Sequence, residues 1–296
     1  MAGISFTTAF RCRDKFQCTV ENGKWKIKNL LFSTFHFQFS IMLLAVDIGN
    51  SAIKFGVYDA DQLQTKFSIP TKLAPDSIEF KDAFTRGLNF PVSTAIICSV
   101  VPDAERSLAA FLQEECNVEP LFVKNDFDFG LKINYKPLSA LGTDRLVNAF
   151  AAVAKYGVPC IVCSFGTATT IDAVNSNREY LGGIIAPGMA MMAESLHLNT
   201  AKLPKVEIER PESIIGSSTI ASIQAGVFYG QVGLAEGIID RISRELSSSM
   251  PVSSKIPTAI ATGGYANLIS GNSKVIDVTD ENLQLDGLRL IFEKCS

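Results

Sequence analysis

The chain has 296 residues, of which 47% are hydrophobic and 19% charged, enough apolar material for one or two packed domains and too little charge for bulk disorder. A formal net charge of −3 and a pI near 5.5 leave no electrostatic footprint for nucleic acid or an anionic membrane surface, which favours a small-molecule partner. Seven cysteines, at 12, 18, 98, 116, 160, 163 and 295, lack the even, dense spacing of a secreted disulfide framework and fit a reducing cytoplasm.

Residues 1–41 are basic, contain the single tryptophan and precede Met42, which opens the run MLLAVDIGN. This segment is expected to be an N-terminal extension outside the fold. An upstream start is its simplest reading, and a basic, acid-poor targeting presequence is the other. The stretch from Leu30 to Val46 carries His36, Gln38 and several hydroxyl residues, too polar for a transmembrane span.

From Met42 onward, strand-like runs with turn punctuation alternate with helix-period runs, which predicts an α/β protein. LLAVDIGN-SAIKFGVYD reads as a strand, a glycine-centred turn and a returning strand. AIICSVV is a strand and DAERSLAAFLQEE an amphipathic helix. LGTDRLVNAFAAVAKYG is a helix with Thr143 as its cap and Gly157 as its stop. A domain boundary near Gly157 gives two halves, 42–157 and 158–296. The second half opens by repeating the device: CIVCSFGT-ATTIDAV is again strand, glycine turn, strand. Cys160 and Cys163 lie in its first run, where residues three apart point to opposite faces, so the CxxC is not read as a metal or redox pair. The strand YLGGIIAPG follows, then a helix from about Met189 and a long small-residue helix, STIASIQAGVFYGQVGLAEGIIDRISREL. TAIATGGYANLI, KVIDV and a last helix near Gly287 complete the chain.

Glycine-rich turns between strands expose backbone N–H groups that can hold phosphate oxygens. No GxxxxGK[ST] is present and no GxGxxG follows a strand, so phosphate binding here is expected to be hairpin-based. Asp47 ends a buried apolar run, where a carboxylate is costly unless donors, a cation or a hydrated metal pair with it.

These segments together resemble the type III pantothenate kinases of the actin-like ATPase superfamily. The matching stretches are DIGNSAIKFG at 47, NYKPLSALGTDR at 134, GTATTID at 166, GGIIAPG at 182, LNTAKLP at 198 and TGGYANL at 262, in the family's order and spanning Met42 to the C-terminus. The resemblance implies two ribonuclease-H-like domains with ATP in the cleft between them. It also implies a cytoplasmic homodimer with pantothenate bound close to the subunit interface. The implied reaction is ATP-dependent phosphorylation of pantothenate to 4′-phosphopantothenate, the first step of coenzyme A biosynthesis.

The resemblance also implies residue roles. Asp47 would face the Mg²⁺–phosphate group through metal-bound waters. Ile48, Gly49, Asn50, Ser51, Ala52, Ile53 and Lys54 would line the same ATP loop, and Thr167 would contact ATP from the second loop. Pantothenate would be held by Tyr135, Gly142, Thr143, Asp144, Arg145 and Thr200. Its primary alcohol needs a positioned proton acceptor, which is Asp144 by resemblance, while Arg145 would supply a cation for the substrate carboxylate. Read without the resemblance, Lys54 is an exposed strand lysine, Asp144 and Arg145 cap and charge a helix start, and Thr200 ends a helix.

One position departs from the family pattern. The second loop usually reads Asp-x-Gly-Thr, with the aspartate helping to hold K⁺ or NH₄⁺, whereas this chain has Ser164-Phe165-Gly166-Thr167. Ser164 supplies a hydroxyl ligand without charge, so cation binding is expected to be weak or absent. Ser164 is also the only sequence argument for the alternative function, a non-catalytic nucleotide-binding regulator or scaffold of the same fold.

Overall fold

The structure is a computed structural model that describes residues 18–21, 24–27, 42–248 and 256–295. Residues 1–39 and 40–296 form separate compact units. In the first unit, β1 (Cys18–Glu21) pairs antiparallel with β2 (Lys24–Ile27). The remainder of the expected extension, His36 included, lies outside the described residues.

The second unit opens with an antiparallel meander of β3 (Met42–Ile48), β4 (Ala52–Asp59) and β5 (Gln62–Pro70), followed by helix α1 (Ile78–Gly87). Next come β6 (Thr94–Ser99), helix α2 (Pro102–Cys116) and β7 (Pro120–Phe122), which extend the sheet in parallel on the other side of β3. The first sheet therefore runs β5-β4-β3-β6-β7. The short β8 (Lys132–Ile133) and helix α3 (Thr143–Tyr156) then lead to a second meander, β9 (Cys160–Phe165), β10 (Ala168–Val174) and β11 (Glu179–Pro187). Helices α4 (Met189–Leu198) and α5 (Thr219–Ser248) precede β12 (Thr258–Thr262), α6 (Ala266–Ser270), β13 (Val278–Thr279) and α7 (Leu283–Cys295). The second sheet runs β13-β12-β9-β10-β11-β8, with β12 parallel to both β9 and β13. Each sheet thus contains a three-strand meander extended by two parallel strands beside its first strand, the second sheet adding the short β8 parallel to β11 at its other edge, so the repeated hairpin belongs to a repeated α/β plan.

The alternation of side chains along each central strand builds the layers. Leu44, Val46 and Ile48 pack outward against Phe80, Phe84 and Phe111 of α1 and α2. Leu43, Ala45 and Cys98 face the other way and meet Cys160, Val162 and Val174 of the second sheet across α3 and α7. Ile161, Cys163 and Phe165 face the outer helices α4 and α5. Cys160 and Cys163 therefore lie in different cores, as their spacing predicts. The helices α3 and α7 form the middle layer, and both carry side chains toward the strand ends where the glycine turns lie.

Besides the short strands β7 and β8, which are not among the predicted elements, other local features differ from the sequence expectations. The cap of α3 is Gly142 rather than Thr143, which is the first helical residue. Its hydroxyl is drawn away by a tertiary partner, donating to Asn125 Oδ1. KVIDV yields only the two-residue β13, and Val275 and Ile276 pack instead against the outer core. The edge strand β5 and helix α1, the latter capped by Ser77 Oγ accepting from Phe80 N at 3.2 Å, have no counterpart among the predicted elements.

Candidate active site

Asp47 is odd-numbered in β3, like Leu43 and Ala45, so it points into the middle layer at the end of the strand. It is 5% exposed. Lys54 stands directly opposite it across β3 and β4, and its Nζ lies 3.3 Å from Asp47 Oδ2. Gln284, from the first turn of α7, donates to Asp47 Oδ1 at 2.8 Å. Burial pushes the Asp47 carboxyl up to about 6; Lys54 opposes the rise and the charge of Asp144 adds to it. The buried carboxylate thus finds its partners in one lysine and one amide.

Beyond Asp47 the chain turns, with Gly49 N–H donating to Ala52 C=O at 3.1 Å and Thr71 Oγ1 donating to Gly49 C=O at 2.7 Å. Asn50 and Ser51 are exposed on this turn and Ala52 is half-buried. The side chains of Ile48 and Ile53 are fully buried in the outer core, so these two residues can meet a ligand only through their backbone.

The second turn is built the same way, with Gly166 N–H donating to Ala168 C=O at 3.1 Å. The other glycine-rich segments converge on it. A Cβ on Gly188 would stand 2.3 Å from Gly166 O, and one on Gly263, at φ +94°, would stand 2.6 Å from Phe165 O. Only glycine permits such backbone approach. The two turns also touch: Ser51 Oγ and Thr167 Oγ1 are 2.7 Å apart.

Ser164 occupies in β9 the penultimate place that Asp47 occupies in β3. Pairing sets Thr170 on one side of it and Thr262 on the other, on the same face of the sheet. Three neutral hydroxyls therefore stand where the first sheet has a carboxylate.

The start of α3 is braced by Asn125, whose Nδ2 donates to the carbonyls of Leu138 at 2.9 Å and Leu141 at 2.6 Å. The Asp144 carboxylate folds back over Gly142: a Cβ there would lie 2.3 Å from Asp144 Oδ1. Burial raises the Asp144 carboxyl above the usual range, the Arg145 amide and charge oppose this, and Asp172 adds to it.

Arg145 is buried, and its Nε and Nη2 donate to Asp172 at 3.1 and 2.5 Å. Tyr180 donates its hydroxyl to Asp172 Oδ1 at 2.7 Å, and the Tyr135 ring lies 5.6 Å from the guanidinium carbon. Burial works against the Arg145 charge, but the Asp172 hydrogen bonds prevail and hold it above its ordinary value.

The two turns meet each other, Asp47 stands beside the first of them, and the charge of Asp144 acts on Asp47, with Tyr135, Gly142, Thr143 and Arg145 around the start of α3. Thr200 is not bonded to this group. Its hydroxyl donates to Leu196 C=O at 2.8 Å and accepts from Leu203 N at 3.2 Å, closing the end of α4. Asp172 carried a signal in the sequence, an acid inside a buried strand run as at Asp47. Gln284 carried none. Among the described residues no group of three or more His, Cys, Asp or Glu is arranged to hold a metal ion, and no helix is long and apolar enough to cross a membrane.

A sequence model of a family described as type III pantothenate kinase matches residues 43–241. The chain is similar to the type III pantothenate kinase of Brevibacillus brevis, 42% identical over 259 residues that cover 86% of this chain and 99% of the relative. It is also similar to that of Finegoldia magna, 40% identical over 256 residues, 84% of this chain and 96% of the relative. Among solved structures, a Campylobacter jejuni protein described as a Baf family transcriptional activator superposes with a TM-score of 0.52 at 21% identity, covering 85% of this chain and 98% of its own. That likeness concerns the fold alone.

Proposed function

This chain belongs to the type III pantothenate kinase family, and we propose that it carries out the family's chemistry in the cleft with Asp144 as proton acceptor. The reaction is the ATP-dependent phosphorylation of pantothenate to 4′-phosphopantothenate, at the entry to coenzyme A biosynthesis. What supports this placement is the contact of the two glycine turns through Ser51 and Thr167, with the buried Asp47 and the half-buried Asp144 close to each other. We take 42–157 and 158–296 as its two domains, with α7 returning from the second half to pack on the first sheet.

Phosphate oxygens of ATP would meet the backbone of the turns at 48–53 and 166–167, with Ser51, Thr167 and Lys54 supplying side-chain donors. Asp47 fits a hydrated divalent ion better than a direct protein cage, because among the described residues it belongs to no group of three or more His, Cys, Asp or Glu arranged to hold a metal. Mg²⁺ bound with ATP would neutralise phosphate charge and orient the γ-phosphoryl group. Asp144 would accept the proton of the pantothenate hydroxyl, and its raised pKa brings it nearer to the pH at which a base both binds and releases a proton. Arg145 keeps donors beyond those given to Asp172, and these would meet the pantothenate carboxylate. Tyr135, Gly142 and Thr143 would line that pocket. Thr200 joins the pocket by family resemblance alone.

The monovalent cation is a different matter. Ser164, Thr170 and Thr262 offer neutral oxygens, and Asp172, two residues along β10 on the same face, is committed to Arg145. These residues do not fit a firmly held K⁺ or NH₄⁺. For the homodimer, the supporting observation is that large apolar side chains are exposed on β11, on α4, in the loop before α5 and on α5, namely Ile185, Leu198, Ile214, Ile215 and Ile220. A cytoplasmic location accords with the cysteine pattern.

The deciding experiment measures ADP formation with and without pantothenate in the presence of Mg²⁺. Phosphate transfer that depends on pantothenate supports the reading. ATP hydrolysis indifferent to pantothenate, or no turnover with any nucleotide, overturns it in favour of a nucleotide-binding regulator.

A further inference from the structure

The C-terminal helix α7 sends one end of Gln284 to the first phosphate turn and the other to α3. Its Nε2 donates to Asp47 Oδ1 at 2.8 Å, and Asn148 Nδ2 lies 3.5 Å from its Oε1. Cys98 sits beside Asp47 in the parallel pairing of β3 with β6. A carboxylate can only accept, so the Gln284 amide must present its N–H₂ to Asp47 and its oxygen to Asn148. Asn148 is one helical turn beyond Asp144 on the same face of α3. Asn148 is also buried, with Oδ1 lacking a partner, so Gln284 is its inward polar contact. A line of hydrogen bonds thus runs from Lys54 through Asp47 and Gln284 to Asn148, drawing on both sheets' shared middle layer.

We propose that Gln284 is a positioning residue for Asp47. Lys54 holds Oδ2 from a side chain that is 44% exposed, whereas Gln284 holds Oδ1 from inside the fold. Two donors on different oxygens fix the plane of the carboxylate and aim its remaining lone pairs into the cleft. A carboxylate that contacts a metal through water depends on this aim, because a rotated carboxylate meets the hydration shell at the wrong place. The C-terminal helix is thereby part of the catalytic apparatus, although no phosphate or substrate segment lies in it. This inference rests on the reading of Asp47 as the residue facing the Mg²⁺–phosphate group.

The test uses the full chain with Gln284→Met, which keeps length and removes the donor, and Gln284→Glu, which is isosteric and sets a second carboxylate against Asp47. For both, the Mg²⁺ concentration giving half-maximal turnover should rise about tenfold or more, with the KM for pantothenate near wild type. In an Asp47→Asn background, Gln284→Met should add almost nothing, because the residue acts through Asp47. Calorimetric titration of ADP with and without Mg²⁺ provides a readout independent of turnover, and the Mg²⁺-dependent gain in affinity should shrink in the variants. An unchanged Mg²⁺ requirement, or effects that add to those of Asp47→Asn, overturns the proposal. If only one variant folds, it decides the question by the same criteria. A wild type without pantothenate-dependent turnover would sink the kinase reading instead, and the binding arm would still judge Gln284.

Discussion

Ser51 and Thr167, 116 residues apart in the chain, place their hydroxyl oxygens 2.7 Å from each other and so close the two glycine turns together. Each hydroxyl is exposed, and neither turn needs the contact for its own backbone bonds, which run from Gly49 to Ala52 and from Gly166 to Ala168. A hydroxyl pair of this kind can exchange its mutual bond for phosphate oxygens at little cost. Thr167→Ala removes one donor to a charged acceptor, which is worth about tenfold in affinity. The KM for ATP should therefore rise by that factor while the KM for pantothenate holds. Initial-rate kinetics with each substrate varied will check this; a selective rise in the pantothenate KM would move Thr167 to the other pocket.

Asp144→Asn keeps shape and helix-start polarity but cannot accept a proton. Turnover should fall by roughly 10² to 10⁴ with an unchanged melting temperature. The sign of the pH dependence follows from the raised carboxyl. A base works only when deprotonated, so activity is lost as pH falls through its pKa. A raised pKa places that loss above the ~3.9 of an ordinary aspartate. The pH profile of kcat/KM should show an acid limb displaced upward. A limb at the ordinary aspartate position, or full activity in Asp144→Asn, would remove Asp144 from the role.

Gly142 is needed for space, since its φ of −63° is open to any residue. A methyl group there would stand 2.3 Å from Asp144 Oδ1, so Gly142→Ala must displace the carboxylate from its place above the helix start. A displacement near 1 Å costs about 10²-fold in rate. Gly142→Ala should thus lose turnover while thermal unfolding barely changes. Wild-type turnover in this variant would show that the carboxylate works from another position.

The ion pair of Arg145 with Asp172 is buried on both sides, so removing one partner leaves the other charge uncompensated. Asp172→Asn should destabilise the fold by about 3–5 kcal/mol in denaturant unfolding and raise the KM for pantothenate, because the guanidinium loses its anchor. Loss of substrate affinity without loss of stability would indicate that Arg145 finds another acceptor.

How legible these features were in the sequence depends on whether their determinants were local. The hairpins at Gly49 and Gly166 were readable because continuous apolar runs stop at glycine, and strand alternation alone sends Asp47 inward and parts Cys160 from Cys163. Thr143 was misread as a cap because its competitor, Asn125, is brought to it by the fold. The edge strand β5 alternates strictly between exposed and more buried residues along QLQTKFSIP, a half-exposed period-2 pattern without the continuous apolar run that marks β3. Gln284 meets Asp47 across 237 residues, and nothing in its neighbourhood on α7 distinguishes it from a solvent-facing amide.

Ser164 tests the pseudo-symmetry of the two sheets. It holds in β9 the place of Asp47 in β3, and its neighbours Thr170 and Thr262 carry no charge. A K⁺ ion beside nucleotide phosphates needs several oxygen ligands and nearby negative charge to offset its dehydration. The hydroxyls supply ligands without charge, and the charge of Asp172 is already neutralised by Arg145. The wild-type rate should therefore change little when Na⁺ is replaced by K⁺ at constant ionic strength. Ser164→Asp restores a carboxylate at that strand end, and the variant should gain a saturable dependence on K⁺. The gain isolates charge as the missing element, because the turn, Thr167 and the neighbouring hydroxyls are unaltered. Strong K⁺ activation in the wild type would show instead that neutral oxygens suffice and that the serine is no impediment.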